Sequence, residues 1–175
     1  MRRNGKILLP ILLTAAFWIG APAAYTEPLA PKEHAFEVDI PGTPTHKEES
    51  RSIGVGNVTS ENFIVDTAGS TYFVSAITIP RLASAFAPDS VLYGQTRDGM
   101  LEDIEGTQLS FEEIRRDGHE GRHLLYEMNP TDAPSRKGEA QFFRMGKKMY
   151  LFAAHGLADD APARTAFFGS IKLTD

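Results

Sequence analysis

The sequence predicts an α+β protein: an antiparallel β-sheet of about six to eight strands packed against two main helices, an α/β sandwich, preceded by an N-terminal signal helix. Three observations lead to this prediction. Most of the chain consists of short segments with alternating apolar and polar residues, separated by Gly, Pro, Asn and Asp, which is typical of strands joined by turns. Two other segments carry residues that begin and end helices. The chain also opens with basic residues and an apolar run, as export signals do.

Residues 1–24 have the three parts of a secretory signal. A basic start is followed by an apolar run and then by small residues suited to cleavage: Arg2, Arg3 and Lys6, then 7–19, then Ala21-Pro22-Ala23. The apolar run is short for a membrane span. We therefore expect a periplasmic or secreted protein with no stable membrane span after cleavage; retention of the signal as an anchor is the alternative. The absence of cysteine excludes a lipoprotein, thiol catalysis and Cys-ligated metals.

The predicted mature chain is acidic and has the length of one domain. Removal of residues 1–24 takes away three of the 18 basic residues and none of the 23 acidic ones, so the formal net charge changes from −5 to −8. Such a surface is a poor partner for nucleic acid or an anionic membrane. We expect a flexible lead-in over residues 25–34 and a single domain with one core over 35–175.

Nine segments are predicted to be strands, and several pair as hairpins. In chain order they are 36–40, 45–58, 62–66, 71–80, 109–116, 121–128, 139–145, 148–154 and 170–173. The segment 45–58 is polar throughout, which favours an exposed edge strand, and its run Ile53-Gly54-Val55-Gly56 favours a bend or bulge. The segment 71–80 is apolar on both faces, which favours a central strand. The hairpin of 139–145 and 148–154 supplies aromatic and aliphatic bulk for both faces of the sheet.

Two helices are predicted, at 88–105 and at 159–168. Pro88 suits the first position of the first helix, because proline there loses no hydrogen bond. Asp159 or Asp160 is the expected N-cap of the second helix, since carboxylates accept bonds from free backbone N–H groups.

The sequence His119-Glu120-Gly121-Arg122-His123 matches the H-E-x-x-H pattern of zinc peptidases. On a helix, His119 and His123 share one face and bind one ion, and Glu120 is the general base. The preceding Asp117-Gly118, however, favours a tight hairpin turn. In an extended strand the two histidines are roughly 13 Å apart, too far to share an ion whose bonds to nitrogen are about 2 Å long. We therefore expect a hairpin here and keep the metallopeptidase as an alternative.

Four motifs made of turn and packing residues follow one another along the chain. They are Phe36-x-Val38-x-Ile40-Pro41-x-x-Pro44, Arg97-Asp98-Gly99 with Gly106, Ile114-x-x-Asp117-Gly118-x-x-Gly121-Arg122, and Phe168-x-Ser170-Ile171-x-Leu173. In order and spacing they resemble the PsbP- and DcrB-like group over nearly the whole mature chain. The resemblance implies an α+β sandwich and places residues 119–123 on a hairpin. Members of that group serve as accessory subunits, envelope proteins and partner-binding modules, so it supplies no activity.

No set of residues in the sequence forms a credible catalytic constellation. The nucleophile motif G-x-S-x-G and the phosphate-binding glycine motifs are absent. We assign no catalytic, cofactor-binding or metal-ligating residue and expect no cofactor. The preferred hypothesis is an exported, non-enzymatic accessory or binding domain of the cell envelope whose partner is a protein or a small apolar ligand. The alternatives are a small zinc metallopeptidase using His119, Glu120 and His123, and a structural envelope protein without a defined ligand.

Overall fold

The fold is known from a computed structural model that describes residues 28–53, 56–129, 134–156 and 160–174, so the predicted signal lies outside the described residues. The strands are β1 (Phe36–Glu37), β2 (Thr45–Ile53), β3 (Gly56–Asp66), β4 (Ser70–Thr78), β5 (Gly106–Arg116), β6 (His119–Met128), β7 (Arg136–Met145), β8 (Lys148–Gly156) and β9 (Lys172–Leu173). The helices are α1 (Arg81–Phe86), α2 (Asp89–Asp103) and α3 (Ala161–Ser170). None of these described helices is long and apolar enough to cross a membrane.

Seven strands form one antiparallel sheet in the order β2-β3-β4-β8-β7-β6-β5, and β1 pairs with β9 in a separate two-stranded sheet. Hairpins connect most neighbours, because alternating segments joined by short turns pair locally. The exception is the pairing of β4 with β8, which joins the two halves of the sheet. The intervening chain forms α1 and α2 before it returns as β5. This architecture confirms the predicted α+β class and strand number.

One face of the sheet, here called the α3 face, is covered by α3 and by the β1–β9 pair. Aromatic rings fill this layer. The Phe36 and Phe152 rings meet edge to face with centroids 5.3 Å apart, and Phe167 of α3 meets Tyr72 at the same separation. Ring pairs of this kind contribute about 0.5–1.5 kcal/mol beyond the area that they bury. The aromatic residues of the last hairpin are therefore core residues, as predicted.

The opposite face, here called the α2 face, is covered by α2. Leu92, Tyr93 and Met100 of this helix lie in one buried cluster with side chains of β6, β7 and β8. The Tyr93 hydroxyl donates to the backbone oxygen of Glu120 at 3.0 Å and accepts from the backbone N–H of Arg144 at 3.0 Å. One side chain thus joins the helix to two strands and satisfies two backbone groups.

The predicted turn at Asp117-Gly118 is present. Both residues have positive φ angles, 49° and 86°, as the turn of a two-residue hairpin requires. The Asp117 carboxylate also accepts a bond from the backbone N–H of Leu173 at 2.9 Å. The same residue therefore forms the hairpin and holds the C-terminal strand.

Two strand predictions were wrong. The segment 45–58 is not one strand: Ile53 pairs with Gly56, so the chain reverses between them and β2 and β3 form a hairpin. Residues 54 and 55, which the sequence assigned to a bend or bulge, lie outside the described residues. The hairpin was missed because all of β2 with described burial is exposed, and a ribbon exposed on both faces shows no alternation of apolar residues. The segment 36–40 pairs with β9 over Phe36–Glu37 and with Leu29 at Val38, and not with the main sheet.

The other differences lie at the helices and in the lead-in. The helix α1 was not predicted, because six residues are too few to show a helical period. Asp160 stands at the N-cap of α3 but makes no capping bond with its side chain; the Tyr72 hydroxyl donates to its carboxylate at 3.4 Å instead. Asp159 lies outside the described residues. Part of the lead-in is packed, since Leu29 and Val38 exchange two backbone hydrogen bonds and His34 is buried.

Candidate binding surfaces

The structure separates the residues of the H-E-x-x-H match. All of them lie on β6, an extended strand, so the helix that a zinc peptidase needs is absent. His119 and His123 point to the same face but lie roughly 13 Å apart along the strand. Glu120 points to the other face, where it forms an ion pair with Arg115 at 2.8 Å. Within the described residues there is no group of three His, Cys, Asp or Glu side chains able to hold a metal ion.

His123 instead forms a pair with a carboxylate of the neighbouring strand. Its Nε2 lies 2.9 Å from Oε1 of Glu139, to which Gln141 also donates at 3.4 Å. The hydrogen bond with Glu139 raises the pKa of His123, and the charges of Glu139 and Glu112 add to it against the opposing effect of burial. The imidazolium form is therefore stabilised in the folded protein.

Replacement of Glu139 by glutamine is expected to destabilise the fold more at acid than at alkaline pH. The folded pKa of His123 is raised above its unfolded value of about 6.5, so the pair stabilises fully below that value. The contribution disappears as pH rises through the folded pKa. We expect E139Q to lower the free energy of unfolding by up to about 1 kcal/mol at acid pH, with a smaller deficit at pH well above the folded pKa.

Denaturant unfolding at acid and alkaline pH measures this difference. The control is E102Q. It removes the same charge from an exposed position of α2 at which no hydrogen bond to a histidine is seen among the described residues. An E139Q deficit that is equal at both pH values contradicts the predicted linkage.

A second histidine links the lead-in to the sheet, which no local pattern in the sequence indicated. Nδ1 of the buried His34 lies 2.8 Å from Nζ of Lys148, and its Nε2 lies 3.0 Å from Oε2 of Glu61. Because an ammonium group can only donate, Nδ1 of His34 accepts from Lys148, and the ring proton of a neutral His34 lies on Nε2. The three residues come from distant parts of the chain. Their contacts link the lead-in to β3 and β8.

Exposed apolar side chains mark the first candidate surface. Among the described residues, five large hydrophobic side chains are exposed, and three of them lie within ten positions on α1 and α2. We call Leu82, Phe86 and Val91 the apolar corner; Phe86 is 82% exposed. Leu82 and Phe86 are four residues apart on a helix and so lie on one side of it. Large exposed aromatic side chains of this kind commonly contact protein partners.

The apolar corner is held in place by one arginine of the sheet. The Arg144 guanidinium donates to the backbone oxygen of Ser84 at 2.7 Å and forms an ion pair with Asp89. It therefore binds both α1 and the first turn of α2. Because these contacts fix the helices against β7, the exposed side chains are displayed on a preorganised support, which reduces the entropy lost on binding.

The remaining two exposed hydrophobic residues mark a second surface at the β5 edge of the sheet. Leu109 lies at a register shift of β5, next to Ser110, which pairs with Leu125 of β6. Carboxylates surround them: Glu139 pairs directly with Leu125, and Glu112 pairs with His123. Glu127 lies two residues beyond Leu125 on the same face. We call Leu109, Leu125, Glu112, Glu127 and Glu139 the acidic shelf.

An apolar groove of about 550 Å³ lies between the lead-in and the start of β2. Its walls include Leu29, Pro31, Ile40, Pro44 and Phe63. The groove is open to solvent along its length, whereas small-molecule sites enclose most of their ligand. This groove is the candidate site for a small apolar ligand. Its open shape supports a ligand site less strongly than the exposed apolar corner supports a protein-binding site.

The fold and these surfaces define an α+β sandwich domain with exposed apolar contacts. A solution structure of cyanobacterial PsbP from Synechocystis matches it with a TM-score of 0.58 and 14% identity, covering 88% of this chain and 95% of that chain. A crystal structure of a protein of unknown function from Pseudomonas aeruginosa covers 71% of this chain and 90% of that one at 11% identity. Its TM-score of 0.38 is too low to support an argument. No protein-family model and no curated protein matches the sequence.

The protein therefore has a PsbP-like fold, which confirms that part of the resemblance predicted from the sequence. The DcrB-like part stays a prediction. At such low identity the likeness establishes the fold alone, and function has to be argued from the surfaces of this chain.

Proposed function

We propose that the protein is an exported, non-catalytic accessory domain of the cell envelope that binds a protein partner through the apolar corner. The observation that carries this proposal is the exposure of Phe86, an aromatic side chain 82% accessible on a helix that Arg144 fixes to the sheet. A buried phenylalanine stabilises its own fold, but one in solvent does not. Its apolar surface becomes favourable when a partner covers it.

Two further arguments support the accessory role. The one pattern in the sequence that suggested catalysis is divided between two faces of β6, so it supports no hydrolytic step. The resemblance of the sequence motifs to the PsbP- and DcrB-like group, whose members include accessory subunits and partner-binding modules, also supports this role. Export is proposed from the signal pattern of residues 1–24, and N-terminal sequencing of the mature protein from the envelope fraction tests it.

A photo-crosslinking side chain at position 86 tests the binding role in the native envelope. We expect one discrete crosslinked protein, and we expect Leu82→Ser to abolish it because Leu82 lies beside Phe86 on α1. The same crosslinker at the exposed Ser50 of β2 is the matched control.

The crosslinked protein is then purified and its affinity measured directly. Loss of a central aromatic contact costs about 2 kcal/mol or more, so Phe86→Ser should weaken binding by about 30-fold, while Ser50→Ala should leave it unchanged. Equal crosslinking at positions 86 and 50, or equal affinity of the Phe86→Ser variant, rejects the apolar corner as the binding surface.

A further inference from the structure

We infer that the apolar corner of one copy docks onto the acidic shelf of a second copy, so that the protein associates head to tail when no other partner occupies the corner. This inference rests on the proposed function in taking the corner as a binding surface. It adds a second surface, the shelf, and a defined occupant for both.

The first argument is the distribution of exposed apolar surface. Every large hydrophobic side chain that is exposed in the described residues belongs either to the corner or to the shelf. Leu82, Phe86 and Val91 lie within ten positions on α1 and α2, and Leu109 and Leu125 lie on the neighbouring strands β5 and β6. Burial of both patches in one contact removes all of this surface from water, which is favourable at about 25 cal/mol per Å².

The second argument is charge complementarity. Beside the corner, Arg81 is exposed at the start of α1, and Lys147 is exposed where its backbone oxygen accepts from Ile79. Arg144 and Asp89 neutralise each other, so the corner carries a net positive charge.

The charge of the shelf has the opposite sign. Its three carboxylates, Glu112, Glu127 and Glu139, outnumber Lys137, the cation that pairs across from Glu127. His123 adds positive charge only where it is protonated. A positive apolar patch therefore meets a negative one, which steers association and fixes its orientation.

The third argument is the position of the two surfaces. The corner lies beside the β7–β8 turn on the α2 face, whereas Leu125 and Glu139 share a row with Ala154 and Tyr72 on the α3 face. Glu139 and Met145 are six residues apart on β7, roughly 20 Å at the usual rise of a strand. The two surfaces cannot meet within one chain. Contact between different surfaces of two copies is heterologous, and such contacts extend into open chains unless the rotation closes a ring.

The small size of the two patches limits the strength of the association between two copies. Five side chains and their rims bury less than the roughly 1,200 Å² of a stable interface, so we expect weak, reversible association. Because exposed charges flank both patches, added salt should weaken it further.

Sedimentation velocity of the purified mature protein tests the inference, with concentration raised to the millimolar range at low salt. We expect the average mass of the wild type to rise with concentration. Phe86→Asp removes the corner and Leu125→Lys removes the shelf, so each variant alone should stay monomeric. Mixed together, they retain one intact corner and one intact shelf between them. The mixture should form a one-to-one dimer and nothing larger.

A wild type that stays monomeric throughout, a variant that still associates alone, or a mixture that forms no dimer overturns the inference. If either variant fails to fold by its thermal melt, the charge reversals Arg81→Glu and Glu112→Lys replace them, because both side chains are exposed. The two proposals fail separately. A monomeric wild type that crosslinks a different protein at position 86 rejects only self-association. A wild type that associates and crosslinks only itself rejects only the heterologous partner.

Discussion

Replacement of Phe152 by alanine is expected to lower the free energy of unfolding by about 3–5 kcal/mol. The side chain is fully buried in the layer between the sheet and the β1–β9 pair. Its ring lies 5.3 Å from that of Phe36 and 6.3 Å from that of Phe143, centroid to centroid. Truncation leaves a cavity whose neighbouring side chains are held in place by their own packing. The surrounding structure therefore relaxes little to fill it. The loss is a large fraction of the roughly 5–15 kcal/mol that holds a domain folded.

Phe86→Ala is the matched control, because it removes the same atoms from an exposed position. It should change the free energy of unfolding by no more than about 0.5 kcal/mol. Urea denaturation of both variants, followed by far-ultraviolet circular dichroism, gives the comparison. Similar losses for the two variants would mean that Phe86 is a core residue, and would also remove the basis for the proposed binding surface.

Replacement of Gly138 by alanine is expected to cost about 1–3 kcal/mol or more through steric overlap. A Cβ atom at this position would lie 2.1 Å from Cζ of Tyr126, directly across from it on β6. The Tyr126 side chain is 1% exposed, and its hydroxyl lies 3.3 Å from Nδ1 of His155. The ring therefore has no free space to turn into, and the strands must separate to admit the methyl group.

Gly99→Ala is the same chemical change, but we expect it to stabilise the fold. A Cβ atom at Gly99 of α2 meets nothing within 4 Å. Alanine there should raise the free energy of unfolding by about 0.5–1 kcal/mol, since it restricts the unfolded chain and favours the helix. Thermal melts of the two variants under one buffer check the pair. A Gly138→Ala variant as stable as the wild type would show that β6 and β7 move apart more easily than their packing indicates.

The elements that the sequence predicted well are those whose signal is local. Asp117-Gly118 indicates a hairpin turn on its own, because few residue pairs suit two successive positive φ angles. That one turn also decided between strand and helix for His119 and His123. The central strand at 71–80 was recognisable because one of its faces is buried and the other is largely half-buried, so that both faces carry apolar side chains.

What the sequence could not predict depends on contacts between distant residues. The β2 strand is exposed wherever its burial is described, so the polar composition of the segment hides where the β2–β3 hairpin turns. The candidate surfaces are harder still. The sequence placed the aromatic residues of the last hairpin, Phe152 among them, in the core. Phe86 also has apolar neighbours along the chain, and only the packed structure shows that it is exposed. The His34 contacts with Lys148 and Glu61 likewise join three segments that no local pattern relates.

The pairing of β1 with β9 affects the order in which this chain can fold. Glu37 and Lys172, joined by an ion pair, are 135 residues apart. Contacts so far apart in sequence form late, because a long loop must close before they gain anything. Before β9 is synthesised, the layer that contains Phe36 and Val38 lacks one of the two strands of the β1–β9 pair. The layer on the α3 face therefore stays partly uncovered until Lys172 and Leu173 have been synthesised.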